Sequence, residues 1–147
     1  MSEREPRKKL LFFVHVVWGI NDLSLYETVC FMNIEELRAY CLSKKGVTEG
    51  FPFGPDTLVF KVMNKMFLLS SLDANRFNVK CDPEYAVALR EEYEEVMPGY
   101  HMNKKLWNTV CMNGRIPEKL LYQFVDDSYN LIVASLPKKD QLALGQM

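Results

Sequence analysis

The densest run of groups that could do chemistry is Tyr100-His101-Met102-Asn103-Lys104. An imidazole titrates near neutral pH, so His101 is suited to proton transfer or to contacting an anion. A Cys–His nucleophile would need a thiol held beside that ring, and Cys111 is the nearest one in sequence. The spacing does not require such a pair, and there is no G-x-S-x-G elbow or phosphate-binding glycine loop. We therefore expect no catalytic residue and a non-enzymatic protein.

A candidate polar site is nevertheless defined by four side chains, Tyr100, His101, Asn108 and Asp127. Asp127 lies within a predicted helix but off its apolar rows, so it could join the neighbourhood of His101. Its neighbour Ser128 faces those rows, and we expect its hydroxyl to bond back to the preceding helical turn. Two aromatic residues, Trp107 and Phe53, are expected in the core, since large aromatic side chains are buried on average. The alternative is that an exposed ring of this pair stacks on a base.

The four cysteines, Cys30, Cys41, Cys81 and Cys111, are too widely spaced for a metal or redox motif. The closest two are eleven positions apart, whereas zinc and dithiol sites place two thiolates within two to four positions. The sequence therefore predicts no metal and no cofactor. Reduced, mostly buried thiols are typical of a cytoplasmic protein.

Charge is segregated along the chain although the net charge is only −1. Residues 61–80 and residues 101–119 each carry a net +3, whereas residues 82–95 carry −5. A uniformly basic, histone-like protein is excluded, but a local basic patch is not. The predicted nucleic-acid-binding residues are the cations of the two basic segments with one amide: Lys61, Lys65, Arg76, Lys80, Asn103, Lys104 and Lys105. The alternative is a solvated basic face offset by an acidic helix.

The elements that must position these groups follow from hydrophobic period and from capping residues. Helices are predicted near 34–44, 83–95 and 117–135, the first opened by an Asn33–Glu36 capping box. Strands are predicted over 57–62, 65–71 and 76–81, with two further extended pieces around 100–102 and 106–112. Residues after Pro137 are expected to be a polar tail. The order αβββαββα predicts an α+β, two-layer sandwich: a three-strand antiparallel meander plus two strands, packed with three helices.

Residues 1–31 are expected to be an N-terminal extension to a single domain spanning 32–147. Basic residues precede an apolar run, Leu10 to Ile20, which is too short to span a bilayer and lacks a signal-peptide cleavage site. Two explanations remain open, an early start codon before Met32 or a real accessory element. We expect a chain that begins at Met32 to fold with nearly the same stability.

Seven stretches resemble the MmcQ/YjbR family of small bacterial proteins, in order and almost continuously over residues 32–139. They are residues 51–62, Lys65-Met66-Phe67, residues 80–84, Pro98 to Lys104, Trp107 to Val110, Asp127 to Val133 and Leu136 to Lys139. The resemblance implies an antiparallel α+β fold similar to secretion-chaperone-like domains. It also implies DNA binding in a "double wing" manner, with β-hairpins as the wings. One departure is Leu106, which stands where family members often carry a second His.

Residues and resemblance together predict a cytoplasmic, non-enzymatic DNA-binding protein that uses basic hairpins. Two other functions remain open. One is a protein-interaction or adaptor module that uses its sheet or a helix pair. The other is a small-ligand domain with a pocket lined by Tyr100, His101 and Trp107.

Overall fold

The computed structural model describes residues 32–147, so the predictions for residues 1–31 lie outside it. Within this part of the chain, one antiparallel sheet packs against helices. The helices are α1 (Ile34–Leu42), α2 (Pro83–Glu92), α3 (Glu118–Ser135) and α4 (Lys138–Gly145). The strands are β1 (Val47–Gly50), β2 (Thr57–Val62), β3 (Lys65–Ser71), β4 (Arg76–Lys80), β5 (Val96–Pro98) and β6 (Trp107–Cys111).

The six strands lie in the order β1-β2-β3-β4-β6-β5, and every neighbouring pair is antiparallel. The meander formed by β2, β3 and β4 confirms the prediction for residues 57–81. Its first turn, Met63-Asn64, has positive φ at both residues (48° and 68°), the conformation of a two-residue hairpin whose twist matches that of the strands. The predicted α+β sandwich is therefore confirmed, with one strand and one helix more than expected.

The two faces of the sheet differ in what covers them. The main core lies on one face, where the long helix α3 packs on β3 and β4. Residues that alternate with the core positions, such as Lys61 in β2 and Asn78 in β4, project from the other face. No described helix covers this second face, which we call the open face. Among the described residues, the buried apolar cluster on this face is small and consists of Val59, Leu69 and Trp107.

Two elements were missed by sequence analysis, and a third was displaced. Strand β1 alternates poorly because only Val47 is apolar in four residues. Pro137 follows α3 and is the N-cap residue of α4, whose Leu144 is 6% exposed and packs into the core, so the predicted polar tail is wrong. The helix predicted over 83–95 ends at Glu92, and Val96 begins β5 instead; the extended piece predicted around 100–102 is a turn.

Ser128 joins α3 to the sheet rather than to its own helix. Its hydroxyl donates to the carbonyl of Phe67 at 2.5 Å and accepts from the backbone N–H of Lys80 at 2.8 Å. The last residue pair of the β3–β4 ladder at this end is Leu68 and Val79, so the hydroxyl bridges the two strands just beyond it. The expected bond to the preceding turn is therefore wrong.

Candidate nucleic-acid interface

Three of the predicted cations project from the open face. Lys61 lies between the buried residues Phe60 and Val62, while Arg76 and Lys80 alternate along β4 with the buried residues Phe77 and Val79. Side chains of a strand point alternately to the two faces of a sheet, so all three cations share one face. Within residues 32–147, none of them forms an ion pair with a carboxylate.

Lys65 differs from these three cations, although it lies at the tip of the same hairpin as Lys61. Its Nζ donates to the carbonyl of Ser135, at the end of α3, at 3.4 Å. Helix α3 covers the other face of the sheet. Lys65 is therefore directed away from the open face.

The segment of residues 99–106, which we call the polar loop, folds back across the open face. The hydroxyl of Thr109 accepts from the backbone N–H of Tyr100 at 2.9 Å and donates to the side-chain oxygen of Asn78 at 2.5 Å. The amide nitrogen of Asn78 donates in turn to the carbonyl of Tyr100 at 3.5 Å. A strand residue from β4 and one from β6 thus hold the backbone of the loop at Tyr100.

The base of the polar loop is held by Arg90, a residue of α2. Its Nε donates to the side-chain oxygen of Asn108 at 2.7 Å, and its Nη2 donates to the carbonyls of Trp107 and Lys104. Arg90 is the one cation in an otherwise acidic segment, residues 82–95. A single cation within an acidic segment could have indicated that Arg90 has a specific partner, but the sequence analysis assigned Arg90 no role.

Close packing at Gly99 also fixes where the polar loop begins. A Cβ at this position would lie 2.8 Å from the Cβ of Trp107 and 3.0 Å from its carbonyl oxygen. The Gly99 N–H donates to that same carbonyl at 2.8 Å. Only a residue without a side chain allows the loop to approach β6 this closely.

An aromatic and cationic group forms where the polar loop crosses the sheet. The ring centroids of Tyr100 and His101 are 4.0 Å apart, and the guanidinium carbon of Arg76 lies 5.2 Å from the Tyr100 centroid. Tyr100 remains 56% exposed. His101 adopts a left-handed backbone conformation with φ 58°, which a residue with a side chain rarely adopts.

These groups line a cleft of about 320 Å³ on the open face. Phe53 lines the same cleft and is 66% exposed, so the expectation that this ring lies in the core is wrong. Phe53 is held in a turn between two prolines, and Gly54 after it has φ 115°, which a side chain would hinder. The cleft is lined by apolar and polar side chains: Phe53, Met66, Leu69, Met102, Thr57, Ser71, Asn78, Arg76, Tyr100 and His101.

The predicted polar site is divided between the two faces of the sheet. Tyr100 and His101 line the cleft, whereas Asn108 and Asp127 line a small cavity of about 10 Å³ between the sheet and the helices. Asn108 is 1% exposed and holds Arg90. Burial first, and the neighbouring Asp126 second, raise the pKa of the Asp127 carboxyl. Asp127 is therefore not placed with His101.

The remaining predicted contacts, Asn103, Lys104 and Lys105, lie within the polar loop. The side-chain oxygen of Asn103 accepts from the backbone N–H of Lys105 at 3.0 Å, so this residue shapes the turn. Lys104 Nζ donates to the Gly99 carbonyl at 3.3 Å. Both lysines are exposed, which leaves them available to a polyanion.

Cys41, Cys81 and Cys111 are free thiols, and burial raises the pKa of Cys41 to about 12 and that of Cys81 to about 11. No group of His, Cys, Asp and Glu within residues 32–147 is arranged to hold a metal ion. Nor does any helix in this part of the chain combine the length and apolar character needed to cross a bilayer.

Comparison with known proteins supports the resemblance given by the motifs. A family model described as YjbR matches residues 42–131. The uncharacterized protein YbdF of Escherichia coli O157:H7 is 45% identical over 93 residues, which are 62% of this chain and 76% of that protein. The uncharacterized protein YjbR of Escherichia coli K12 is 33% identical over 79% of this chain and 100% of its own length. The crystal structure of Deinococcus radiodurans DR2400, with a DUF419 domain, superimposes with a TM-score of 0.73 at 35% identity, covering 78% of this chain and 89% of that one.

Proposed function

The chain belongs to the YjbR family, and we propose that it binds DNA through the open face of its sheet without catalysing a reaction. The observation that carries the proposal is the set of three cations on that face, Lys61, Arg76 and Lys80, which lack carboxylate partners among the described residues. Cations grouped on one surface are what phosphate contacts require.

The distribution of acidic residues favours the same surface. Helix α2 carries Glu84, Glu91 and Glu92, and it packs through Ala86 and Leu89 into the main core on the helix-covered face. Helix α2 and the three strand cations therefore lie on opposite sides of the sheet. A polyanion that approaches the open face meets the cations first.

This geometry changes which cations are expected to touch DNA. A wing that used the tip of the β2–β3 hairpin would place Lys65 against phosphate, but Lys65 is directed to Ser135 on the helix side. We assign the contacts instead to Lys61, Arg76 and Lys80, with Lys104 and Lys105 of the polar loop beside them. The strands supply a flat surface, and the polar loop forms its rim.

The test is a salt series with random-sequence duplex DNA, measured by fluorescence anisotropy. Each phosphate that is neutralised contributes a log–log slope of about −0.9, so the three strand cations alone give roughly −2.7. Replacing Lys61 and Lys80 by Ala should reduce the slope by about 1.8 and weaken binding uniformly across sequences.

Lys65→Ala is the matched control, because it removes a cation from the same hairpin but from the other side of the sheet. We expect it to leave both affinity and slope almost unchanged. If Lys65→Ala weakens binding as much as the double variant does, then the hairpin tip rather than the open face is the interface. Absence of binding at ~50 mM salt would contradict the proposal and favour the adaptor function, since phosphate contacts are strongest at low salt.

A further inference from the structure

The cleft on the open face has features that binding to phosphates does not explain. Phe53 and Tyr100 line it and are 66% and 56% exposed, although burying an aromatic ring is favourable in water. Of the residues described as lining it, all within 32–147, Arg76 alone is a Lys or Arg. A cleft that is lined by aromatic rings and one guanidinium is suited to a ligand with a flat, uncharged ring joined to a single anion.

Its size points to one nucleotide unit. A volume of about 320 Å³ is at the lower end of small-molecule sites, which range over roughly 300–1,000 Å³. A base within a duplex is stacked and paired, so it could enter such a cleft only by being flipped out. An unpaired base in a single strand needs no such step.

We propose that this cleft takes one unstacked base of single-stranded DNA, with Tyr100 and Phe53 as the stacking surfaces and Arg76 at the adjoining phosphate. The proposal rests on the DNA-binding function given above and adds the form of DNA that is preferred. Ring stacking combined with a cationic surface is how proteins hold single strands without reading their sequence.

Hydrogen bonds within the protein occupy polar side chains of the cleft, so we expect the cleft to bind the four bases with little preference. Asn78 already uses its oxygen for Thr109 and one N–H for the carbonyl of Tyr100. The hydroxyl of Ser71 donates to Asp73 at 2.9 Å. Asn78 and Ser71 therefore have little hydrogen-bonding capacity left to distinguish one base from another, and Thr57 and His101 are the further polar side chains that line the cleft.

The experiment compares three ligands of equal length, about 12 nucleotides, within the usual site size of single-strand binders. They are oligothymidylate, a strand of abasic units with the same phosphates, and a duplex. We expect oligothymidylate to bind most tightly, at least about fivefold more tightly than the abasic strand. Phe53→Ala and Tyr100→Ala should each lower its affinity by about 5- to 150-fold, the range that alanine substitution of a stacking ring gives for one base.

Two matched variants separate stacking from other effects. Phe51→Ala removes a ring that is 51% exposed and only two positions from Phe53 but does not line the cleft, so affinity should stay unchanged. Tyr100→Phe keeps the ring and should keep the affinity. Phe53→Ala and Tyr100→Ala should leave the salt slope unchanged, because they remove no charge.

Equal affinity for oligothymidylate and the abasic strand would overturn this inference. So would unchanged affinity in both Phe53→Ala and Tyr100→Ala. In either case, loss of affinity in the Lys61→Ala, Lys80→Ala double variant would leave DNA binding through the open face intact. Absence of binding to all three ligands would overturn both proposals together.

Discussion

Ser128→Ala tests whether a single buried hydroxyl holds the end of the β3–β4 ladder. Ser128 is fully buried, and its hydroxyl serves two backbone groups, the carbonyl of Phe67 and the N–H of Lys80. Alanine lacks the hydroxyl, so both backbone groups lose their hydrogen-bond partner at once. A buried polar group left unpaired costs about 1–3 kcal/mol. Since the Lys80 bond is only partly buried, we expect a loss of about 2–4 kcal/mol in the free energy of unfolding.

The assay is urea unfolding followed by Trp fluorescence, with Ser135→Ala as the matched control in the same helix. Ser135 is exposed and donates only to the Ile132 carbonyl within α3, so its loss should cost less than about 0.5 kcal/mol. Hydrogen exchange of the Lys80 amide should also become faster in Ser128→Ala. A loss as small as that of the control, with Lys80 exchange unchanged, would mean that β3 and β4 close up and pair directly, and the reasoning would be refuted.

Two further predictions concern the turn between β2 and β3 and the hydrogen bond that joins α1 to α3. Asn64→Gly should raise the free energy of unfolding by about 0.5–1 kcal/mol, because Asn64 has φ 68° and glycine adopts that conformation without strain; Asn64→Ala should lower it in the same urea assay. Burial and a 2.6 Å hydrogen bond from the Tyr40 hydroxyl to Asp126 raise the pKa of Tyr40 to about 12, so folding favours the protonated phenol. The contribution of the protonated Tyr40 phenol to the free energy of unfolding is fully present below about pH 10 and is lost as pH rises through about 12. In thermal melts over this range, the native protein should therefore lose more stability than Tyr40→Phe does. Equal losses in the two proteins would contradict the raised pKa of Tyr40.

The sequence predicts those parts of the fold whose secondary structure and buried face follow from the residue pattern of one short segment. Strand β4 alternates strictly, and that period correctly places Arg76 and Lys80 on the side opposite Phe77. Strand β1 could not be predicted in this way, since Thr48, Glu49 and Gly50 give no alternation, and its pairing with β2 depends on tertiary structure.

The candidate site was less predictable because distant residues assemble it. The period of β4 indicates the face of Arg76, but contacts with distant residues, Thr109 and Arg90 among them, determine that the polar loop lies across that face. The motif around Phe53 predicts a turn. Whether the ring on such a turn enters the core or stands exposed depends on what lies beneath it, here the open face of the sheet.

The shortness of the outermost strands has a consequence for self-association. A sheet edge presents unpaired N–H and C=O groups that can recruit a strand from another molecule. At one edge β5 has three residues and ends in Pro98, which has no N–H to donate; at the other β1 has four, and its Glu49 is paired with Arg38 at 2.5 Å. Within residues 32–147, neither edge strand is long enough to serve as a good template for amyloid-like growth, so addition of a strand from another molecule at these edges is disfavoured.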